Sequence, residues 1–122
     1  MYAITVPLIP NKVGAWKAWI RECEGSRQEE FEKFNERMEL TLHRAWLTQE
    51  KENPRVIVVF DGPGAQSFLQ KLARSKEPFD KWFRERITEY HGTDFSRVNE
   101  IPISQMYLDY TVPSYVESGS RQ

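Results

Sequence analysis

Cysteine and histidine are scarce in this chain of 122 residues, which has one of the first, Cys23, and two of the second, His43 and His91. A single cysteine excludes an internal disulfide framework. No His-x-x-x-His, Cys-x-x-Cys or His-x-Glu spacing occurs, so a metal centre has no support. Glycine-rich phosphate loops are missing too, and Gly62-Pro63-Gly64 is a turn rather than a cradle. The formal net charge is only -1 with the signs well mixed, which leaves no basic footprint for nucleic acid and no polybasic membrane patch. No apolar run approaches the ~18 residues that cross a bilayer. The first residues carry neither a basic region nor a long apolar stretch, so no signal peptide is expected and the expected location is cytoplasmic. No cofactor is expected.

Aromatic residues, in contrast, are abundant at 13%, among them Trp16, Trp19, Trp46 and Trp82. Such side chains fill cores, interfaces and ligand cavities. The segment Arg55-Val56-Ile57-Val58-Val59-Phe60 is apolar without alternation. In a strand, neighbours point to opposite faces, so this run must be covered on both sides. Residues 2–9 read as a first strand, 41–48 as a second, 55–60 as a third and 105–112 as a last. Between the first two strands, residues 12–39 carry Val13, Trp16, Ile20, Cys23, Arg27, Phe31, Phe34 and Met38 on one helical stripe, with Trp19 beside it. Gly25-Ser26 marks a bend within that stretch. Ala65, Phe68, Leu69 and Leu72 give a short helix. A break at Pro78 follows, then a second helix closed by Gly92.

The order β-α-β-β-α-β is the split βαβ, ferredoxin-like plan: an α+β fold with a four-stranded antiparallel sheet and its helices on one face. The first 113 residues are expected to form this single domain, and residues 114–122 a flexible tail. Helices cover one face of the sheet. The opposite face is expected to be covered by a second copy, giving a homodimer.

With the Arg27-to-Met38 helix, the stretch Ser75-Lys76-Glu77-Pro78-Phe79-Asp80-Lys81-Trp82-Phe83, the run His91-Gly92-Thr93-Asp94-Phe95 and the closing Tyr107-Leu108-Asp109-Tyr110-Thr111-Val112-Pro113, the chain resembles the dimeric α+β barrel superfamily over residues 2–112. That group includes the antibiotic-biosynthesis monooxygenases and small polyketide cyclases, and within it the chain is most similar to an uncharacterised bacterial family. The resemblance implies a dimeric α/β barrel that binds a small apolar or aromatic molecule, with cofactor-independent monooxygenase-like or cyclase-like chemistry. The polar residues used by the monooxygenases do not map onto this chain residue by residue.

Arg27 sits at an otherwise apolar position of the stripe, where a guanidinium needs an anionic ligand, an internal carboxylate such as Glu30, or an escape to the surface at the bend. His43 shares a strand face with Ala45 and Leu47 and is either an acid/base facing the space under the helices or a plain strand histidine. These two are the candidate catalytic residues. Trp82, Phe83, Tyr107 and His91 are the candidate ligand-binding residues, with His91 paired with Asp94 at a mouth or simply capping its helix. The alternative to an enzyme is a non-catalytic dimeric stress or accessory protein. In that case the aromatics are core and interface, Arg27 is paired internally and both histidines are exposed.

Overall fold

The computed structural model describes residues 1–113; the expected tail, residues 114–122, lies outside the described residues. Among the described residues four strands and four α-helices follow in the order β1 (Tyr2–Pro7), α1 (Val13–Glu24), α2 (Gln28–Arg37), β2 (Leu42–Leu47), β3 (Arg55–Asp61), α3 (Phe68–Arg74), α4 (Pro78–His91) and β4 (Ser104–Gln105). The strands form one open antiparallel sheet in the order β2-β3-β1-β4. The architecture is α+β and compatible with a ferredoxin-like fold. No helix among the described residues is long and apolar enough to cross a membrane.

β3 is the central reference, paired along its length with β1 on one side and β2 on the other. The register puts Ile4 opposite Val58 and Val6 opposite Val56, with Ala45 opposite Val58 and Leu47 opposite Val56 on the other flank. These side chains share the face under the helices, where Val56 and Phe60 are buried. On the opposite face the register aligns Thr5, Ile57 and Trp46 in one row and Ala3, Val59 and Arg44 in the next. Trp46 is half exposed there.

The long helical stretch is two helices. Gly25 breaks it, and a Cβ at that position would lie 2.9 Å from the Arg21 carbonyl oxygen. Each helix then selects its own inward face. α1 buries Trp16, Trp19 and Cys23, so Trp19 belongs to the core rather than beside it. α2 buries Phe34 at its centre and Met38 beyond its end. Arg27 occupies the position just before α2. The spacing that placed it inward assumed one continuous helix, and the break removes that constraint.

After β3 the chain turns at Gly62, whose φ of 128° is open to glycine, and Gly64 donates its N–H to Glu39 at 3.0 Å. Both glycines lie so close to the Met38–Thr41 backbone that a Cβ would collide with it. α4 begins at Pro78 and ends at Gly92 in the left-handed conformation (φ 71°), donating to the Thr88 carbonyl at 2.9 Å.

The last strand departs from expectation. Only Ser104 and Gln105 pair with β1, and residues 106–112 form no strand. The alternation there is strand-like, but a strand needs a neighbour to accept its backbone hydrogen bonds. Among the described residues, the last such bond in this region runs from Met106 to the Met1 carbonyl at 3.2 Å.

Candidate functional site

The space between helices and sheet is unevenly filled. Around Phe34 it is solid: that fully buried ring meets Phe31, Phe68, Phe79 and Phe83 at centroid distances of 4.6 to 6.1 Å. Nearer α1 it is hollow. A cavity of about 440 Å³ lies between α1 and the helix-facing side of β1, β2 and β3. Its walls are mostly apolar, with Ile4, Trp16, Trp19, Phe31, Val58 and Phe83 prominent. Ala45 and Trp46, both exposed, also border it, so the cavity reaches the β2 side of the molecule.

His43 is the central polar group on this wall. Its ring packs against Phe31 (5.6 Å), Phe68 (5.6 Å) and Phe83 (6.4 Å). Asn35 fixes its tautomer. The Asn35 amide donates from Nδ2 to the Phe31 carbonyl at 2.9 Å, which leaves Oδ1 to accept from His43 Nδ1 at 2.8 Å. Nε2 therefore carries the lone pair, and among the described residues nothing donates to it. Burial disfavours the charged imidazolium and lowers the pKa to about 4. A neutral imidazole held by one nitrogen with the other free is the arrangement of a hydrogen-bond acceptor, and its lowered pKa makes it a weak base.

His91 stands elsewhere on the same wall. It is buried, with Nδ1 donating to the Pro7 carbonyl at 2.7 Å, and burial again lowers its pKa. Asp94 does not accompany it. The Asp94 carboxylate instead accepts from the Ser96 N–H at 2.9 Å and the Ser96 hydroxyl at 2.6 Å. Two further groups border the cavity. The Trp19 indole N–H is buried and has no acceptor among the described residues. The Cys23 thiol is pushed up to about 12, chiefly by burial, which keeps it protonated and a poor nucleophile.

The six residues singled out in the sequence separate into two groups. His43, Phe83 and His91 line the cavity together. Arg27, Trp82 and Tyr107 lie elsewhere. Arg27 donates from Nε and Nη2 to the two oxygens of Glu30 at 2.9 and 3.1 Å, and its guanidinium lies 3.9 Å from the Trp82 ring centroid. Its positive charge is thus used by a carboxylate and an aromatic face. Tyr107 is fully exposed, at 101% of its reference area, because the strand expected to carry it is absent beyond Gln105. Sequence reasoning missed Asn35 and Trp19. Asn35 had a faint signal, being a polar residue four positions after Phe31 beside the apolar stripe.

A second polar centre has a structural character. Asp80, with no exposed surface, accepts from Arg37, whose Nε lies 3.3 Å from it and whose Nη2 is closer, and from the Ser75 hydroxyl at 2.6 Å. This joins α2 to the start of α4, and the carboxylate also sits favourably in the first turn of α4. No group of three or more metal-ligating side chains occurs among the described residues. No protein-family model matches the chain, and comparisons with curated proteins and with solved structures give no match.

Proposed function

We propose that this protein binds a small, largely apolar or aromatic molecule in the cavity between α1 and the sheet. The observation that carries this reading is the cavity itself: about 440 Å³, aromatic-walled, with a neutral histidine whose free nitrogen is oriented by Asn35. Ligand sites span roughly 300–1,000 Å³, mostly apolar with a few fixed polar groups. In this reading His43 Nε2 accepts a hydrogen bond from a hydroxyl of the bound molecule. Phe83, Phe31 and Trp16 form the walls and His91 a second polar point. Monooxygenase-like chemistry without a cofactor would take dissolved dioxygen as its oxidant, one oxygen atom entering the bound molecule and the other leaving as water with two of its hydrogens, while cyclase-like chemistry would need no oxidant; in both His43 orients the molecule as a hydrogen-bond acceptor. Two copies pack through the outer sheet face, where Trp46 and Val59 lie, as a ferredoxin-like βαββαβ barrel dimer.

The test is a titration with 1-naphthol, a neutral aromatic hydroxyl compound, followed by quenching of tryptophan emission. Saturable binding is expected, and Val58→Phe, which fills the cavity, should abolish it. Absence of saturable quenching by 1-naphthol and by a panel of fused-ring phenols would overturn the reading. Catalysis is read separately, under air and without added cofactor, as conversion of 1-naphthol and dioxygen to 1,4-naphthoquinone and water, lost in His43→Gln.

The Arg27–Glu30 pair favours the second reading, a non-catalytic dimeric accessory protein, since it leaves Arg27 without a need for a ligand. His91, which is buried, His43, which is half-buried, and the empty volume beside them weigh against it.

A further inference from the structure

A second hollow shares no lining residue with the cavity. It is an open groove of about 520 Å³ along α3. Ser67, Gln70, Lys71 and Arg74 recur at intervals of three and four residues, so they lie along one side of that helix. Arg37 at the end of α2, with Ser75 and Asp80 around the start of α4, completes the lining. The groove therefore gathers three cations and one carboxylate. That carboxylate is already spent: Asp80 is fully buried and accepts from Arg37 and from the Ser75 hydroxyl. The exposed carboxylates of Glu39 and Glu77 do not line the groove.

The donors on this lining are partly free. Arg37 meets Asp80 through Nε and Nη2, and its Nη1 is engaged by nothing among the described residues. A guanidinium clamped on one edge has already lost its rotamer freedom, so gripping an oxyanion with the other edge costs little further ordering. Lys71 gives one of its three hydrogens to Glu39 at 2.7 Å. Arg74 is exposed and has no ion pair among the described residues. One acceptor also waits. Gln70 donates from Nε2 to Asn99 Oδ1 at 3.2 Å, which orients the amide, and its Oε1 is buried without a donor among the described residues.

We propose that this groove binds free inorganic phosphate. Hydrogen phosphate meets both demands at once: its bare oxygens accept from Arg37 Nη1, Arg74 and Lys71, and its one P–OH donates to Gln70 Oε1. Sulfate has the same shape and charge but no hydrogen to give. The dianion of a phosphate monoester lacks it too. The site is separate from the aromatic-walled cavity, and neither reading depends on the other.

Isothermal titration of the full chain with sodium phosphate, sodium sulfate and glycerol 3-phosphate tests the site. The titration is run at pH 8, where a monoester has lost its second proton, of pKa about 6. Phosphate should bind saturably, and the other two anions about 10-fold more weakly. Arg74→Gln alters an exposed side chain, so it should keep the fold while weakening phosphate about 10-fold. Gln70→Leu should bring phosphate down to the level of sulfate and leave sulfate unchanged. Absence of saturable phosphate binding would overturn the proposal. Equal binding of the three anions, indifferent to Gln70→Leu, would overturn it as well, since that is the behaviour of a plain cationic surface.

Discussion

The two ends of the helix–sheet interface use the same residue types to opposite effect. Around Phe34 the aromatic rings touch one another, and the adjoining Asp80 centre satisfies a buried charge with Arg37 and Ser75. Around His43 the aromatic rings line a cavity and leave polar atoms without partners, Trp19 Nε1 among them. A protein interior is normally close-packed, and a hollow forfeits contacts that a filled core would have. The packed rings around Phe34 therefore contribute stability that the hollow beside His43 forgoes.

The largest test of that contrast is Phe34→Ala. The ring is fully buried among four others, and its loss should cost about 3–5 kcal/mol, read as a lower denaturation midpoint. Asp80→Ala should follow, at about 3 kcal/mol, since it orphans the Ser75 hydroxyl and an Arg37 guanidinium that hydrogen bonding to Asp80 keeps more firmly protonated than usual. Equal tolerance of these two substitutions and of Val58→Phe would break the distinction between the two ends.

The hollow end should be visible in pH dependence. His43 is neutral when folded, with a pKa of about 4 against about 6.5 unfolded. Between those values the unfolded chain binds the proton that the folded chain refuses. Stability therefore falls as pH drops through that window and is fully present above it. The effect at pH 4 should amount to about 2–3 kcal/mol, and His43→Gln should remove that share of the slope while leaving the smaller contribution of His91. A pH profile identical in parent and variant would count against a buried neutral imidazole. The smallest effect belongs to Arg27→Ala. Loss of stacking on Trp82 should cost about 1 kcal/mol or less, with 1-naphthol binding unchanged, because Arg27 does not border the cavity. Weakened binding would place it functionally nearer than its position indicates.

Much of the architecture was legible in the residues because local rules and tertiary packing agree there. The unbroken apolar run of β3, the Gly25 break, the Pro78 start and the Gly92 stop each act through backbone chemistry that no distant contact needs to supply. Three of the six candidate residues share one cavity wall. His43, Phe83 and His91 lie on faces that alternation and helical spacing assign, and those faces meet at the cavity. Arg27 pairs with Glu30, one of the outcomes its position left open, and lies away from the cavity because the break at Gly25 lets α2 choose its own face.

By itself the sequence determined the α+β class, a four-stranded antiparallel sheet with several helices, and the inward face of most apolar side chains, since these follow from periodicities of two and 3.6 and from turn residues. The tertiary structure decided the rest. Whether the space beneath α1 is filled, which Asn35 atom meets His43, and whether residues 107–112 have a neighbour all depend on where separate elements stop relative to one another. Side-chain volumes and strand register set those positions across the whole sheet, and no single stretch of sequence encodes them.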